Sequence, residues 1–110
     1  RFTDATFAYQ VGAKGQSAHF VETLEKLVQG DLQPDHTVLF DITPEIAATR
    51  RAKARAADRF ESEDLAFFSA VRAAYLRRAE ASGKRFFILD ATQNSETMTE
   101  RLLEEACTWL

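Results

Sequence analysis

The chain has 110 residues, 45% of them hydrophobic and 28% charged, a composition of one ordinary globular unit and not of a disordered or fibrous chain. Fourteen basic and 17 acidic residues leave a net charge of -3, so no global positive field draws it to nucleic acid or to an anionic membrane, and any anion binding must be local. Uninterrupted apolar runs such as Phe86 to Leu89 reach four residues, where roughly 20 are needed to cross a bilayer. A single cysteine, Cys107, cannot make an internal disulfide, which suits a reducing compartment.

The chain opens on Arg1 in a polar, turn-like stretch with no amino-terminal apolar segment. No secretory signal is expected, and the start reads as a cut into something larger. From Ser17, Phe20, Val21, Leu24, Leu27 and Val28 recur at helical spacing up to Gly30, which predicts a first helix with a glycine end. Gly12 and Gly15 just before it predict a flexible entry loop. Thr37 to Ile42 is short, β-branched and aromatic, as expected of a strand buried on both faces in a parallel sheet. Thr43 then caps a helix with Pro44 at its first position and Glu45 in its first turn, where a carboxylate favours the positive end of the helix dipole. Another helix is expected from Ser62, carrying Leu65, Phe68, Val71, Tyr75 and Ala79 and stopping at Gly83. Phe86 to Leu89 predicts a second buried strand ending in Asp90, and Ser95 is expected to cap a last helix with Leu102, Leu103, Ala106 and Leu110 on one side.

The predicted order is therefore α, β, α, α, β, α, an α/β class with helices on both faces of a parallel sheet. Two strands leave outer edges with unpaired backbone groups. Further strands are needed, and the residues read as the carboxy-terminal half of a larger α/β unit.

In open α/β sheets ligands bind beyond the carboxyl ends of the strands. After the second strand, Asp90-Ala91-Thr92-Gln93-Asn94 offers small residues and amides that could lie against a flat base, or could be an ordinary strand-to-helix turn. Arg50, Arg51, Lys53, Arg55 and Arg59 place five of the 14 basic residues within ten positions. On a helix, positions 51, 55 and 59 share a face, so several guanidinium groups could converge on one anionic ligand and neutralise charge during phosphoryl transfer. The alternative is a solvated helix face. Nucleic-acid binding by the same patch is disfavoured by the acidic balance and sparse aromatic residues. Arg1, Thr6, Tyr9 and Gln10 bring a guanidinium, a hydroxyl, a phenol and an amide together, able to read a nucleotide or to form a capped turn. His19, His36 and Cys107 have no partners at metal-ligand or catalytic spacing and read as structural or surface residues. No glycine-rich phosphate loop of the form G-x-x-x-x-G-K-[ST] is present.

Jointly, these segments resemble the bacterial thymidylate kinases. Arg1 to Gln10 is similar to that family's D-R-[YFH]-x-x-S-x-x-A-Y-Q stretch, Gly30 to Thr37 to its G-x-x-P-D-x-T approach to a strand, and Asp41-Ile42-Thr43-Pro44-Glu45 to its D-x-x-P-E helix start. The basic helix with Asp58-Arg59-Phe60-Glu61, then Phe67-Phe68, Val71-Arg72 and Tyr75, resemble its LID segment and continuation, and Ile88 to Gln93 completes the match. Val11 and Ala13 stand where the family has glycines, Ala5 where it has serine, and Ala56 and Ala57 replace a glycine-containing LID tip.

The resemblance implies a P-loop nucleoside monophosphate kinase fold with the amino-terminal P-loop half missing, and residues 1–110 as part of one domain with a LID at about 50–61. It implies transfer of the γ-phosphoryl of ATP, with Mg2+, to deoxythymidine monophosphate, an activity needing the missing half. It also implies a cytoplasmic homodimer with nucleotide ligands and neither nucleic-acid nor membrane partners. Arg1 is then expected near the acceptor phosphate, Thr6, Gln10 and Phe60 near the nucleotide, and Tyr9 against the deoxyribose. Arg55, with Arg50 and Lys53, is expected over the phosphates as the catalytic set. Asp58, Arg59 and Glu61 are expected to anchor the LID, and Ala91, Thr92 and Gln93 to border adenine. The rival expectations are a non-catalytic α/β interaction module and a kinase of the same fold acting on another nucleotide.

Overall fold

Strand and helix order follow the spacing of the sequence except at its beginning. The computed structural model describes residues 3–54 and 65–110. Helix α1 (Thr3–Thr6) runs directly into a π-helix (Phe7–Ala13), and α2 (Ala18–Gln29), β1 (Thr37–Asp41) and α3 (Pro44–Ala54) follow. Then come α4 (Leu65–Ala81), a 3₁₀ turn (Gly83–Arg85), β2 (Phe86–Asp90) and α5 (Ser95–Cys107). The expected turn-like start and flexible loop at Gly12 are thus helical. Of Gly12 and Gly15, Gly15 alone, with φ +71°, takes the left-handed backbone conformation that glycine permits.

Caps set most boundaries. Ser17 Oγ accepts from the Phe20 amide at 3.3 Å to start α2, and Gly30 at φ +61° ends it. Thr43 Oγ1 accepts weakly from the Ile46 amide at 3.4 Å at the head of α3. The last helix is capped by Asn94, not Ser95: Asn94 Oδ1 accepts from the Thr97 amide at 2.8 Å, and Ser95 is the first helical residue. Ser62, the expected start of α4, lies outside the described residues.

β1 and β2 pair in parallel, in register from Thr37 opposite Phe86 to Asp41 opposite Asp90. The expectation of strands buried on both faces fails. Leu89 is fully buried, but Phe40 and Ile88 are 55% and 47% exposed. Among the described residues the sheet has only these two strands, too narrow to be covered throughout. The apolar stripe of α2 likewise forms a helix but not a core: Val21 is buried, whereas Phe20, Leu27 and Val28 are exposed.

The tightest core lies instead between the π-helix and α4, where Ala8, Val71 and Ala74 are buried with Tyr9, Ala13, Phe67 and Tyr75 packed around them. Gly12 is required here by close approach. A Cβ at that position would overlap Ala74 Cβ and sit 3.4 Å from the Ala70 carbonyl oxygen. Gly12→Ala is therefore expected to destabilise the fold by about 1–3 kcal/mol through overpacking, despite the better helix propensity of alanine. Chemical denaturation of the two proteins checks this, and an unchanged midpoint would show that the two helices separate freely.

Candidate functional site

A cavity of about 460 Å³ opens beside β1 and extends past its carboxyl end. Its walls include Tyr9 from the π-helix, Asp41 from the strand, Arg51 from α3, and Phe68, Arg72 and Tyr75 from α4. The sequence places these groups by simple periodicity. Phe68, Arg72 and Tyr75 are four and three residues apart and share one face of α4. Asp41 is the last residue of β1.

Arg72 closes on Asp41 in a bidentate pair, Nε donating to Oδ1 at 2.8 Å and Nη2 to Oδ2 at 3.0 Å. That geometry fixes the planar guanidinium. The hydrogen bonds to Asp41 push the pKa of Arg72 still higher, so it stays charged at any working pH. Arg51 lies with its guanidinium carbon 5.1 Å from the centre of the Phe68 ring, a cation–π distance. Phe68 meets Phe67 edge-on with ring centres 5.3 Å apart, and Phe67 meets Tyr9 at 6.0 Å. The cavity thus combines an aromatic wall, a phenol and two guanidinium groups.

A second constellation stands at the carboxyl end of β2. The Ala91 amide donates to the Asp41 carbonyl at 2.9 Å, tying the two strand ends together. Asp90 Oδ1 accepts from the Thr92 amide at 2.9 Å and the Thr92 hydroxyl at 2.6 Å. These bonds stabilise the carboxylate and hold its pKa below the ordinary value. Arg50 reaches over from α3: its Nη1 donates to the Ala91 carbonyl at 2.5 Å and its Nη2 to the Thr92 carbonyl at 3.0 Å. Gln93 is half-buried, and its Oε1 is buried without a hydrogen-bond partner among the described residues.

Adjacent residues of α3 therefore face two different places, Arg50 the loop after β2 and Arg51 the cavity at β1. A profile of the family described as Thymidylate kinase matches residues 1–102. The chain belongs to the thymidylate kinase family.

Among its relatives, the thymidylate kinase of Paraburkholderia xenovorans (strain LB400) is 58% identical over 104 residues, covering 94% of this chain and 50% of the relative. That of Paraburkholderia phytofirmans is 59% identical over 105 residues, covering 96% and 50%. The Burkholderia cenocepacia enzyme of strain J2315 is 56% identical over 102 residues, covering 93% and 50%. The chain spans about half the length of these relatives. Family membership carries with it the α/β fold of the P-loop nucleoside monophosphate kinases, of which the parallel β1–β2 pair and its flanking helices are a part.

Against the thymidylate kinase expectations, the structure brings Tyr9 to the cavity and brings Arg50 together with Ala91 and Thr92. It does not gather the described basic residues of α3 on one spot: Arg50 is engaged with the β2 loop, and Lys53 is exposed. Thr6 is also apart from Tyr9, lining a separate hollow of about 200 Å³ against α2 with Thr3, Val21 and Leu24. Gln10 is half-buried, and its carbonyl accepts from the Gln16 amide at 2.8 Å. Arg1, Arg55, Asp58, Arg59, Phe60 and Glu61 lie outside the described residues. Asp41 and Arg72 were not singled out by sequence reasoning. Their signal was present in the terminal aspartate of the first strand and in the Val71-Arg72…Tyr75 spacing, but the pairing joins positions 31 apart.

Among the described residues no group of three or more histidine, cysteine, aspartate or glutamate side chains could hold a metal ion, and Asp41 is already committed to Arg72. No described helix is long and apolar enough to cross a membrane.

Proposed function

We propose that the full-length protein containing these residues is a thymidylate kinase, transferring the γ-phosphoryl group of ATP to deoxythymidine monophosphate to give the diphosphate. In this reading an oxygen of the acceptor's phosphate attacks the γ-phosphorus and ADP leaves. Such a reaction depends mainly on positioning and on neutralising charge. The observation that carries the reading is the pair of sites joined by α3 at the carboxyl ends of two parallel strands, in a chain of this family. The Tyr9 cavity receives the acceptor nucleotide, with the phenol against the deoxyribose. The Ala91–Gln93 loop borders the adenine of the donor, with Arg50 holding that loop in shape. Mg2+ accompanies ATP as part of the donor substrate.

Arg1, Thr6, Gln10 and Phe60 remain assigned to the acceptor nucleotide, Arg55 and Lys53 to the phosphates, and Asp58, Arg59 and Glu61 to anchoring a LID at about 50–61, all on family resemblance. The same resemblance supports residues 1–110 as the carboxy-terminal part of one domain, and a cytoplasmic homodimer. A coupled assay of ADP release tests the reaction. Turnover of ATP that requires deoxythymidine monophosphate supports it, and turnover independent of that nucleotide, or none, sinks it. Tyr9→Ala is expected to raise the preference for the ribonucleotide about tenfold, since it removes the bulk facing the 2′ position. An unchanged ratio of kcat/KM for the two sugars would displace Tyr9 from that role.

A further inference from the structure

Asp4 is the buried charged side chain among the described residues, 6% exposed. It is satisfied by two arginines from distant positions. Arg78 Nε donates to Oδ1 at 2.9 Å, while Arg85 donates through Nη2 to Oδ1 at 2.9 Å and through Nη1 to Oδ2 at 3.0 Å. Each guanidinium is backed by an aromatic ring, Arg78 lying 3.9 Å from the centre of Phe7 and Arg85 4.6 Å from that of Phe86. Arg85 also donates to Thr37 Oγ1 at 2.7 Å and to Ser82 Oγ at 3.2 Å. One carboxylate therefore ties the first turn of α1 to the end of α4, to the start of β1 and to the start of β2.

The consequence lies five residues further on. Tyr9 sits in the π-helix, whose wide turn is rare and persists where tertiary contacts impose it. This π-helix is held along α4 at both ends, by Asp4 before its first residue and by the Gly12–Ala74 approach near its last. The other wall of the cavity is fixed to the same helix through Arg72 and Asp41. Arg72 and Arg78 are six residues apart on α4, so α4 is a common bar to which both Tyr9 and the end of β1 are clamped by ion pairs. We propose that Asp4, through Arg78 and Arg85, is a positioning residue for the acceptor nucleotide, setting where the π-helix presents Tyr9 in the cavity. This rests on the kinase reading given above.

The test uses the full-length protein, assayed first unaltered and then as Asp4→Asn and Arg78→Gln, at a temperature where each variant is folded by circular dichroism. Asp4→Asn is expected to raise KM for deoxythymidine monophosphate about tenfold while kcat and KM for ATP stay within about twofold, the signature of a displaced binding group. Arg78→Gln leaves the Arg85 bonds in place and is expected to raise the same KM by about threefold, so a failure of Asp4→Asn to fold does not remove the test. Hydrogen exchange gives a readout independent of activity: amides of Phe7–Ala13 should exchange faster in both variants while those of Ser95–Cys107 keep their wild-type rates. Unaltered protein that ignores deoxythymidine monophosphate overturns the kinase reading and this proposal with it. Active wild type whose variants keep its acceptor KM, or raise both KM values alike with uniform loss of protection, overturns the positioning role alone.

Discussion

Asp4→Asn is expected to cost the folded state about 3–5 kcal/mol, because removing one partner of a buried ion pair strands the charge left behind. Here two guanidinium groups are left, only 24% and 16% exposed as side chains. A loss of that size is a large share of the roughly 5–15 kcal/mol that holds a domain of this size together. The pH dependence has a definite sign. Burial alone pushes the Asp4 carboxyl up, but the hydrogen bonds and charges of Arg85 and Arg78 outweigh it and hold the pKa below the ordinary 3.8. A depressed carboxylate stabilises the fold fully above its unfolded value, and the contribution disappears as pH falls through the lower, folded value. Among the described residues, Glu25 Oε2, 3.8 Å from Arg78 Nη2, is the other carboxylate facing this cluster. Urea denaturation of wild type between pH 7 and pH 2 should therefore show stability lost on the acid side of 3.8. In Asp4→Asn that part of the loss should be missing, and parallel curves for the two proteins would count against the ion-pair account.

This cluster also marks where reading along the chain stops being enough. Ser17, Gly30, Thr43 and Pro44 act on the backbone within a few residues of themselves, so α2 and the head of α3 were legible from local chemistry. The one-residue shift from Ser95 to Asn94 arises because both side chains can cap, and only Asn94 meets the Thr97 amide. The helical start at Thr3 was not legible. Its glycines argue for a loop, its π turn has no place in a 3.6-residue pattern, and its anchor comes from arginines 74 and 81 positions away. Exposure was hidden for a related reason. The spacing of Phe20, Leu24 and Leu27 marks one face of a helix, and Thr37 to Ile42 marks a strand, but neither pattern says what lies opposite.

The candidate site divides along the same line. The basic cluster was visible as composition, whereas the commitment of each arginine depends on contacts made far along the chain, at positions 41 and 42 residues from Arg50 and at Phe68 for Arg51. Those commitments sharpen the assignment of the remaining cations. Arg50 is occupied by two carbonyl oxygens of the β2 loop and Arg51 lies over an aromatic ring. Under the proposed kinase reading, neutralising a transferring phosphoryl group is then assigned to Arg55 with Lys53, and Arg55 is the one that family resemblance favours. Arginine suits the task better than lysine because its planar fork can bond two phosphate oxygens at once.

Arg55→Ala in the full-length protein is accordingly expected to lower kcat by about 10³-fold or more, the scale of losing an arginine that stabilises a phosphoryl-transfer transition state. The KM values should change little, because an interaction made only in the transition state does not contribute to ground-state binding. Arg50→Ala should behave differently. Its side chain shapes the loop that the proposed reading sets beside the donor base, so KM for ATP should rise about tenfold with kcat close to wild type, as expected when ground-state binding is weakened. Steady-state kinetics with each nucleotide varied in turn separates the two patterns. Should Arg50→Ala instead lose kcat as Arg55→Ala is expected to, its bonds to Ala91 and Thr92 must break during turnover, and the guanidinium would belong with the phosphates after all.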